Sequence, residues 1–267
     1  MIGAVVQARM GSTRLPGKVL MPAAGKPLLA HLLERLGRAR TLETVIVATS
    51  DDARDDPVAA VSSSLGVPVF RGSERDVLDR YYQAARGAGI DVVVRITADC
   101  PLVDPAIVDA MVQYALDHRG EFDLVTNRRP LTFPDGLDLD VIPIDALADA
   151  WRQAREPMQR EHVIPWFWDV GRRVHNLEHP ANLYAEHRWT LDYAEDYALI
   201  RRVIEELTPV YGSTFAMDDV LAFMIEHPEV ARSNAQYITV QPVSPTGRTL
   251  SLAAAGRAQP TASSRSA

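Results

Sequence analysis

Residues 5–20 read Val-Val-Gln-Ala-Arg-Met-Gly-Ser-Thr-Arg-Leu-Pro-Gly-Lys-Val-Leu and concentrate groups suited to holding a polyphosphate. An apolar, strand-like run ending at Val6 opens into a loop. That loop carries Gly11 and Gly17, the hydroxyls of Ser12 and Thr13, and the cations Arg9, Arg14 and Lys18. Backbone N–H groups and positive charge at the carboxyl end of a strand make an anion site. The loop is not a Walker A motif. Five residues separate Gly11 from Gly17, and Val19 follows Lys18 where that motif needs a magnesium-binding hydroxyl. No G-x-G-x-x-G follows the first strand, and Gly87 and Gly89 precede a strand and read as a turn.

Acidic residues recur at strand and helix ends. Asp99 closes the run Val92-Val93-Val94-Arg95-Ile96-Thr97-Ala98-Asp99-Cys100-Pro101. A carboxylate there suits magnesium, which takes one or two carboxylates together with substrate phosphates. Asp104, directly before Pro105, is the better N-cap of the helix that follows. Asp192, in Arg188-Trp189-Thr190-Leu191-Asp192, either caps the next helix, with Glu195 completing a capping box, or ligates a metal. Its lone pairs allow both, and the residues alone leave the choice open. In Phe133-Pro134-Asp135-Gly136-Leu137-Asp138-Leu139-Asp140, a strand would turn Asp138 and Asp140 to one face. Buried acids are costly, so such a face is expected to be wet, metal-bound or substrate-bound. His175 and His179 lack the H-E-x-x-H pattern, and no zinc site is expected. Trp166-Phe167-Trp168 reads as packing, and Cys100 has no activating base nearby in sequence.

Strand-like runs at residues 3–7, 44–48, 67–70, 92–96 and 122–126 alternate with helical patterns at 27–39, 52–65, 76–86 and 105–118. Short, β-branched strands alternating with helices predict a doubly wound, mostly parallel α/β sheet. Ligands of such sheets bind beyond the carboxyl ends of the strands, which would bring residues 9–18 and 97–101 to one edge. Residues 137–144 read as a further strand, residues 145–155 and 160–169 as helices, 173–177 as a strand, and 194–207 and 217–226 as helices. From Gln241 the chain turns to Ser, Thr, Ala, Gly and Pro, so the expected division is a domain over 1–240 and a disordered tail over 241–267.

The chain has 267 residues, 47% of them hydrophobic, a net charge of −7 and a single cysteine. These values suit an ordinary soluble globular protein of a reducing cytoplasm and exclude an internal disulfide. No apolar run of about 18 residues predicts a membrane span. An acidic chain with its cations gathered in one loop is suited to a small anion and not to nucleic acid.

Gln7-Ala8-Arg9-Met10-Gly11-Ser12-Thr13-Arg14-Leu15-Pro16-Gly17-Lys18 resembles the nucleotide-binding signature of the sugar-activating cytidylyltransferases. The group includes the 3-deoxy-manno-octulosonate and acylneuraminate enzymes, and the spore-coat polysaccharide branch is nearest. The Asp99 strand end, the Phe-Pro-x-Gly-Leu-Asp segment, Arg160-Glu161-His162-Val163 and the Asp192 helix start match in order. The resemblance implies a Rossmann-like nucleotide-diphospho-sugar transferase fold with a β-hairpin or helical insertion. It implies the reaction of CTP with a sugar to give a CMP-sugar and pyrophosphate. Gln7, Ala8, Arg9, Gly11, Ser12, Thr13, Arg14, Lys18 and Thr97 would contact the nucleotide, and Ser73, Asp76 and Arg80 its base and ribose. Asp99 and Asp192 would hold Mg2+, and Gly136, Asp138, Asp140, Glu161 and His162 would meet the acceptor sugar. A homodimer is the default in such relatives. Two other readings are a glycosyltransferase on the same fold, which would use a D-x-D at the end of a middle strand, and a non-catalytic nucleotide-binding protein.

Overall fold

The computed structural model describes residues 1–239 and 248–249. Its strands are β1 (Ile2–Gln7), β2 (Pro22–Ala23), β3 (Lys26–Pro27), β4 (Thr44–Ser50), β5 (Val69–Gly72), β6 (Val92–Thr97), β7 (Leu124–Thr126), β8 (Asp140–Pro143), β9 (Val174–Glu178) and β10 (Arg248–Thr249). Eight form one sheet in the order β10-β9-β7-β8-β6-β1-β4-β5, and β2 and β3 make a separate antiparallel hairpin. β8 alone runs antiparallel to its neighbours β6 and β7, so the sheet is mostly parallel, as expected. The expected tail over 241–267 lies outside the described residues, apart from β10.

Helices α1 (Leu28–Leu36), α2 (Asp56–Ser64), α3 (Val77–Gly87), α4 (Pro105–Asp117), α5 (Ile144–Gln153), α6 (Pro157–His162), α7 (Pro165–Asp169), α8 (Ala194–Tyr211), α9 (Met217–Glu226) and α10 (Pro228–Ala231) complete the chain. They cover both faces because side chains alternate along each strand. Ala4, Val6, Val94 and Ile96 pack with α1, α4, α8 and α9. Val5, Val93 and Ile142 pack with α3, α5 and α7. Two-sided burial is why the strands read as continuous apolar runs. The aromatic run at 166–168 contributes Trp166 and Phe167 to the second core, as its reading as packing requires.

Two expectations need correction. The strand read over 137–144 is confined to β8, because residues 135–136 instead lie against the 187–190 segment. Asp135 N–H donates to the His187 carbonyl at 3.0 Å, and Trp189 N–H donates to the Asp135 carbonyl at 2.6 Å. Gly136 permits this contact: its φ is +107°, and a Cβ there would stand 2.5 Å from Thr190 N. The helix read over 160–169 is broken into α6 and α7 at Val163, whose φ is 67°.

Asp140 departs from the expected acid face. It is fully buried, accepts from Thr126 Oγ1 at 2.6 Å, and pairs with Arg95 Nη1 at 2.9 Å across the β6–β8 register. Removing one partner of a buried pair leaves the other charge uncompensated. Asp140→Ala is therefore expected to destabilise the fold by about 3–5 kcal/mol, seen as a lower urea midpoint. An unchanged midpoint would show that Arg95 finds other compensation.

Candidate functional site

The chain leaves β1, builds β4 and β5 on one side, and returns to place β6 on the other. The carboxyl ends of β1 and β6, paired at Gln7 and Thr97, thus mark a topological switch point. A cleft of about 490 Å³ opens there. Gln7, Ala8, Arg9, Gly11, Ser12, Thr13, Arg14, Lys18, Thr97, Asp99, Asp138, Glu161, His162 and Asp192 all line it. Sequence segments far apart meet as the strand-end rule anticipates.

Backbone hydrogen bonds fold the first loop back on itself. Ser12 and Gly17 N–H both donate to the Met10 carbonyl, at 2.9 and 3.0 Å, and Leu15 N–H donates to Ser12 Oγ at 3.2 Å. Gly17 takes φ 72°, a left-handed turn that sends Lys18 inward. The Lys18 ammonium donates to the Leu191 carbonyl at 2.5 Å, Asp192 Oδ1 at 2.9 Å and Asp99 Oδ2 at 3.3 Å. Arg14, half exposed, meets Asp192 Oδ1 at 2.7 Å, and Arg9 faces Glu74 at 3.8 Å. Asp99 and Asp192 therefore converge on one cation, and their hard oxygens fit a magnesium ion. Among the described residues no three His, Cys, Asp or Glu side chains are placed to hold a metal. Two carboxylates with the remaining ligands drawn from phosphate and water is the usual magnesium arrangement.

Arg188, which the sequence reading left without a role, organises the acids. Its guanidinium meets Asp135 at 2.7 Å, Asp192 Oδ2 at 3.1 Å and Asp196 at 3.1 Å. Its place four residues before Asp192 was the available signal. Burial opposes ionisation of Asp192, but Lys18, Arg14 and Arg188 hold its carboxyl below the usual range. Burial, and then the nearby Asp138 charge, push Asp135 up to about 7 despite Arg188. Burial also raises Asp138, against the pull of Arg128 3.5 Å away. The Cys100 thiol is buried and pushed up, which suits its exclusion as a nucleophile.

Several expected contacts lie elsewhere. Asp140 is sealed in its pair with Arg95 and is absent from the cleft wall. Gly136 is pressed against the Trp189–Thr190 backbone. Arg80 is fully buried and donates through Nη1 to the carbonyls of Ser73 and Glu74, bracing the loop before α3. Asp76 caps α3 through Asp79 N–H and binds Arg160 of α6 at 2.5 Å. Ser73 Oγ accepts from Asp76 N–H at 3.3 Å. These loop residues shape the wall without lining it. The capping box of α8 is closed by Asp196 and not Glu195: Asp196 Oδ2 accepts from Asp192 and Tyr193 N–H at 2.9 and 3.0 Å. Asp192 is thereby freed to face the cleft. Asp104 caps α4 as expected, accepting from Ala106 N–H at 2.8 Å.

A second cavity, of about 570 Å³, adjoins the first and shares Arg95, Arg128, Asp135, Asp138 and His162 with it. Trp168 and Tyr184 form part of its wall, and the Arg129 guanidinium lies 5.1 Å from the Trp168 ring centre. His162 is exposed between the cavities. Val163 places it: Ile164 N–H donates to the His162 carbonyl at 2.7 Å around Val163 at φ 67° and ψ −61°, a strained γ-turn. Strain of this kind in a β-branched residue persists only where packing enforces it, and Val163 is fully buried.

A family model described as Cytidylyltransferase matches residues 3–202. An uncharacterised protein of Methanocaldococcus jannaschii is 36% identical over 86% of this chain and 93% of its own length. A spore coat polysaccharide biosynthesis protein of Bacillus subtilis is 36% identical over 76% of this chain and 85% of its own. The solved structure of a cytidylyltransferase from Leptospira borgpetersenii superposes with a TM-score of 0.81 at 32% identity, covering 91% of this chain and 98% of that one.

The Asp135 shift has a defined sign. Its folded pKa, about 7, lies above the ordinary carboxylate value, so this group's contribution to stability falls as pH rises through that interval. Asp135→Asn removes the dependence. Relative to wild type, the variant is expected to be more favoured at pH 8 than at pH 5 in urea denaturation. A difference that does not change with pH would place the Asp135 titration in the ordinary carboxylate range.

Proposed function

The chain belongs to the cytidylyltransferase family, and we propose that it uses magnesium and CTP to activate an acidic or modified sugar, releasing pyrophosphate. The meeting of Arg14 and Lys18 with Asp99 and Asp192 at the switch point carries this reading. It supplies phosphate-binding cations and a carboxylate pair suited to a metal in one cleft. The adjoining cavity, with an aromatic wall and His162 at the junction, supports an acceptor site beside the nucleotide. The kinship with a spore coat polysaccharide biosynthesis protein supports a product for polysaccharide or glycoconjugate assembly.

In this mechanism Arg9, Arg14 and Lys18 hold the β- and γ-phosphates. The acceptor hydroxyl attacks the α-phosphorus in line, the bond to the β-phosphate breaks, and the cations receive pyrophosphate. Asp99 and Asp192 would hold magnesium, which when bound would neutralise phosphate charge and lower the pKa of the attacking hydroxyl. Asp138 Oδ1 has no hydrogen-bond partner and is suited to receive the acceptor's hydroxyl proton. Arg188 draws Asp135, Asp192 and Asp196 together through its ion pairs. The glycosyltransferase alternative is disfavoured, because the middle strand β6 runs into Asp99-Cys100-Pro101 where a D-x-D would be needed, and in Asp138-Leu139-Asp140, which lies elsewhere, Asp140 is sealed in an ion pair. An intact set of cations and acids speaks against a non-catalytic binder. No described helix is long and apolar enough to cross a membrane. The negative net charge, with cations gathered at the cleft, favours small anionic substrates over nucleic acid. A cytoplasmic homodimer completes the proposal.

Pyrophosphate release from CTP, screened against 2-keto-3-deoxy and amino sugars, tests the reading. The scaffold alternative predicts none, and the glycosyltransferase predicts consumption of a nucleotide-sugar without it. Asp99→Asn is expected to abolish release while keeping the urea midpoint; full activity would remove Asp99 from the mechanism. Arg14→Ala is expected to weaken CTP binding by about 1–3 kcal/mol, the scale of a charge-assisted contact, in calorimetric titration. An unchanged dissociation constant would place Arg14 outside the phosphate site.

A further inference from the structure

The Lys18 ammonium sits where the two cleft carboxylates converge. It lies 2.9 Å from Asp192 Oδ1 and 3.3 Å from Asp99 Oδ2, with its third contact on the Leu191 carbonyl. Its side chain is 11% exposed, so water screens these contacts poorly. Magnesium coordinates oxygen at roughly 2.0–2.1 Å. A metal on the same two oxygens would face the ammonium at close range with little screening, and the repulsion is prohibitive. The ammonium and a metal exclude each other from this position.

The frame does not need Lys18 to persist. Leu191 N–H donates to the Asp99 carbonyl at 2.8 Å, joining the two acid-bearing segments through backbone. Arg188 holds Asp192 from the other side at 3.1 Å. Lysine has a flexible stem and a compact charge, so it can leave the carboxylates for another anion without disturbing its loop. Of the two carboxylates Arg14 meets only Asp192, it is half exposed, and it also donates to the Tyr193 hydroxyl at 3.5 Å, so it does not block the position in the same way.

We propose that Lys18 is a built-in placeholder for the divalent cation, and that nucleotide phosphates draw it off the carboxylates, so that the metal gains its site only together with nucleotide. This rests on the reading of Asp99 and Asp192 as the metal pair. It adds an order of events: phosphate capture by Lys18 precedes full coordination of the metal, and the unliganded enzyme avoids holding a cation without substrate.

The test measures Mn2+ binding to the full chain by electron paramagnetic resonance of free Mn2+, with and without CTP and without acceptor. Wild type is expected to bind Mn2+ weakly alone and tightly with CTP. Lys18→Met, which keeps the stem and removes the charge, is expected to bind Mn2+ without nucleotide about ten-fold more tightly than wild type, equivalent to about 1.4 kcal/mol. Lys18→Gln, which keeps a polar tip for the Leu191 carbonyl, is expected to gain likewise should the first variant fold poorly. Adding Asp192→Asn to either is expected to erase the gain. Equal nucleotide-free affinity in wild type and both Lys18 variants, with CTP-dependent binding intact in wild type, would overturn the placeholder role alone. Absence of Mn2+ binding in every protein, with and without CTP, would overturn the metal-pair reading and this proposal with it.

Discussion

Asp192 accepts three cations at once: Lys18 and Arg14 on one oxygen and Arg188 on the other. Without those contacts Asp192 would stand uncompensated in a cleft it shares with Asp99, Asp135 and Asp138. Arg188 extends the compensation inward to Asp135 and to the fully buried Asp196. Asn234 continues it, donating to the Arg188 carbonyl and to Asp196 Oδ1, each at 2.8 Å. Removing a charge from such a network leaves its partners buried and unpaired, which costs more than the pair's net contribution to stability.

The same compensation sets which acids stay ionised. A carboxylate cluster without cations would protonate near neutral pH and lose affinity for metal. Asp135, raised to about 7, shows that tendency where a single arginine opposes burial. Asp192, with three cations, is held in the opposite direction. Unequal cation supply thus separates two carboxylates in one cleft, favouring the ionised form of Asp192 and the protonated form of Asp135.

Strain and ion pairing set the second cavity. Arg160 ties α6 to Asp76 at the start of α3 and donates to the Trp151 carbonyl of α5 at 2.7 Å. The γ-turn at Val163 then aims His162 into the junction of the two cavities. Residues read from sequence as direct base contacts, Asp76 and Arg80, act here as struts. Their charges face neighbouring protein atoms, which a linear motif does not reveal.

Local pattern made much of the fold legible. Uninterrupted β-branched runs and well-capped helices such as α4 follow from backbone sterics and neighbours within a few residues. The glycine–cation loop was equally readable, since its chemistry lies within one short segment. Partnership across the chain was not. Asp138 and Asp140 look alike in sequence, yet one lines the cleft and the other is consumed by Arg95, because Gly136 redirects the chain before β8 begins. Arg188 gave only the weak signal of its spacing. Its role comes from Asp135, 53 residues away, and from the turn that frees Asp192 from capping. The sequence by itself determined the layered sheet, the glycine–cation loop at the end of the first strand and the place of Asp99 at the end of another. Only tertiary structure decided which charges neutralise one another, because electrostatic energy depends on distance and burial, and neither is encoded in spacing along the chain.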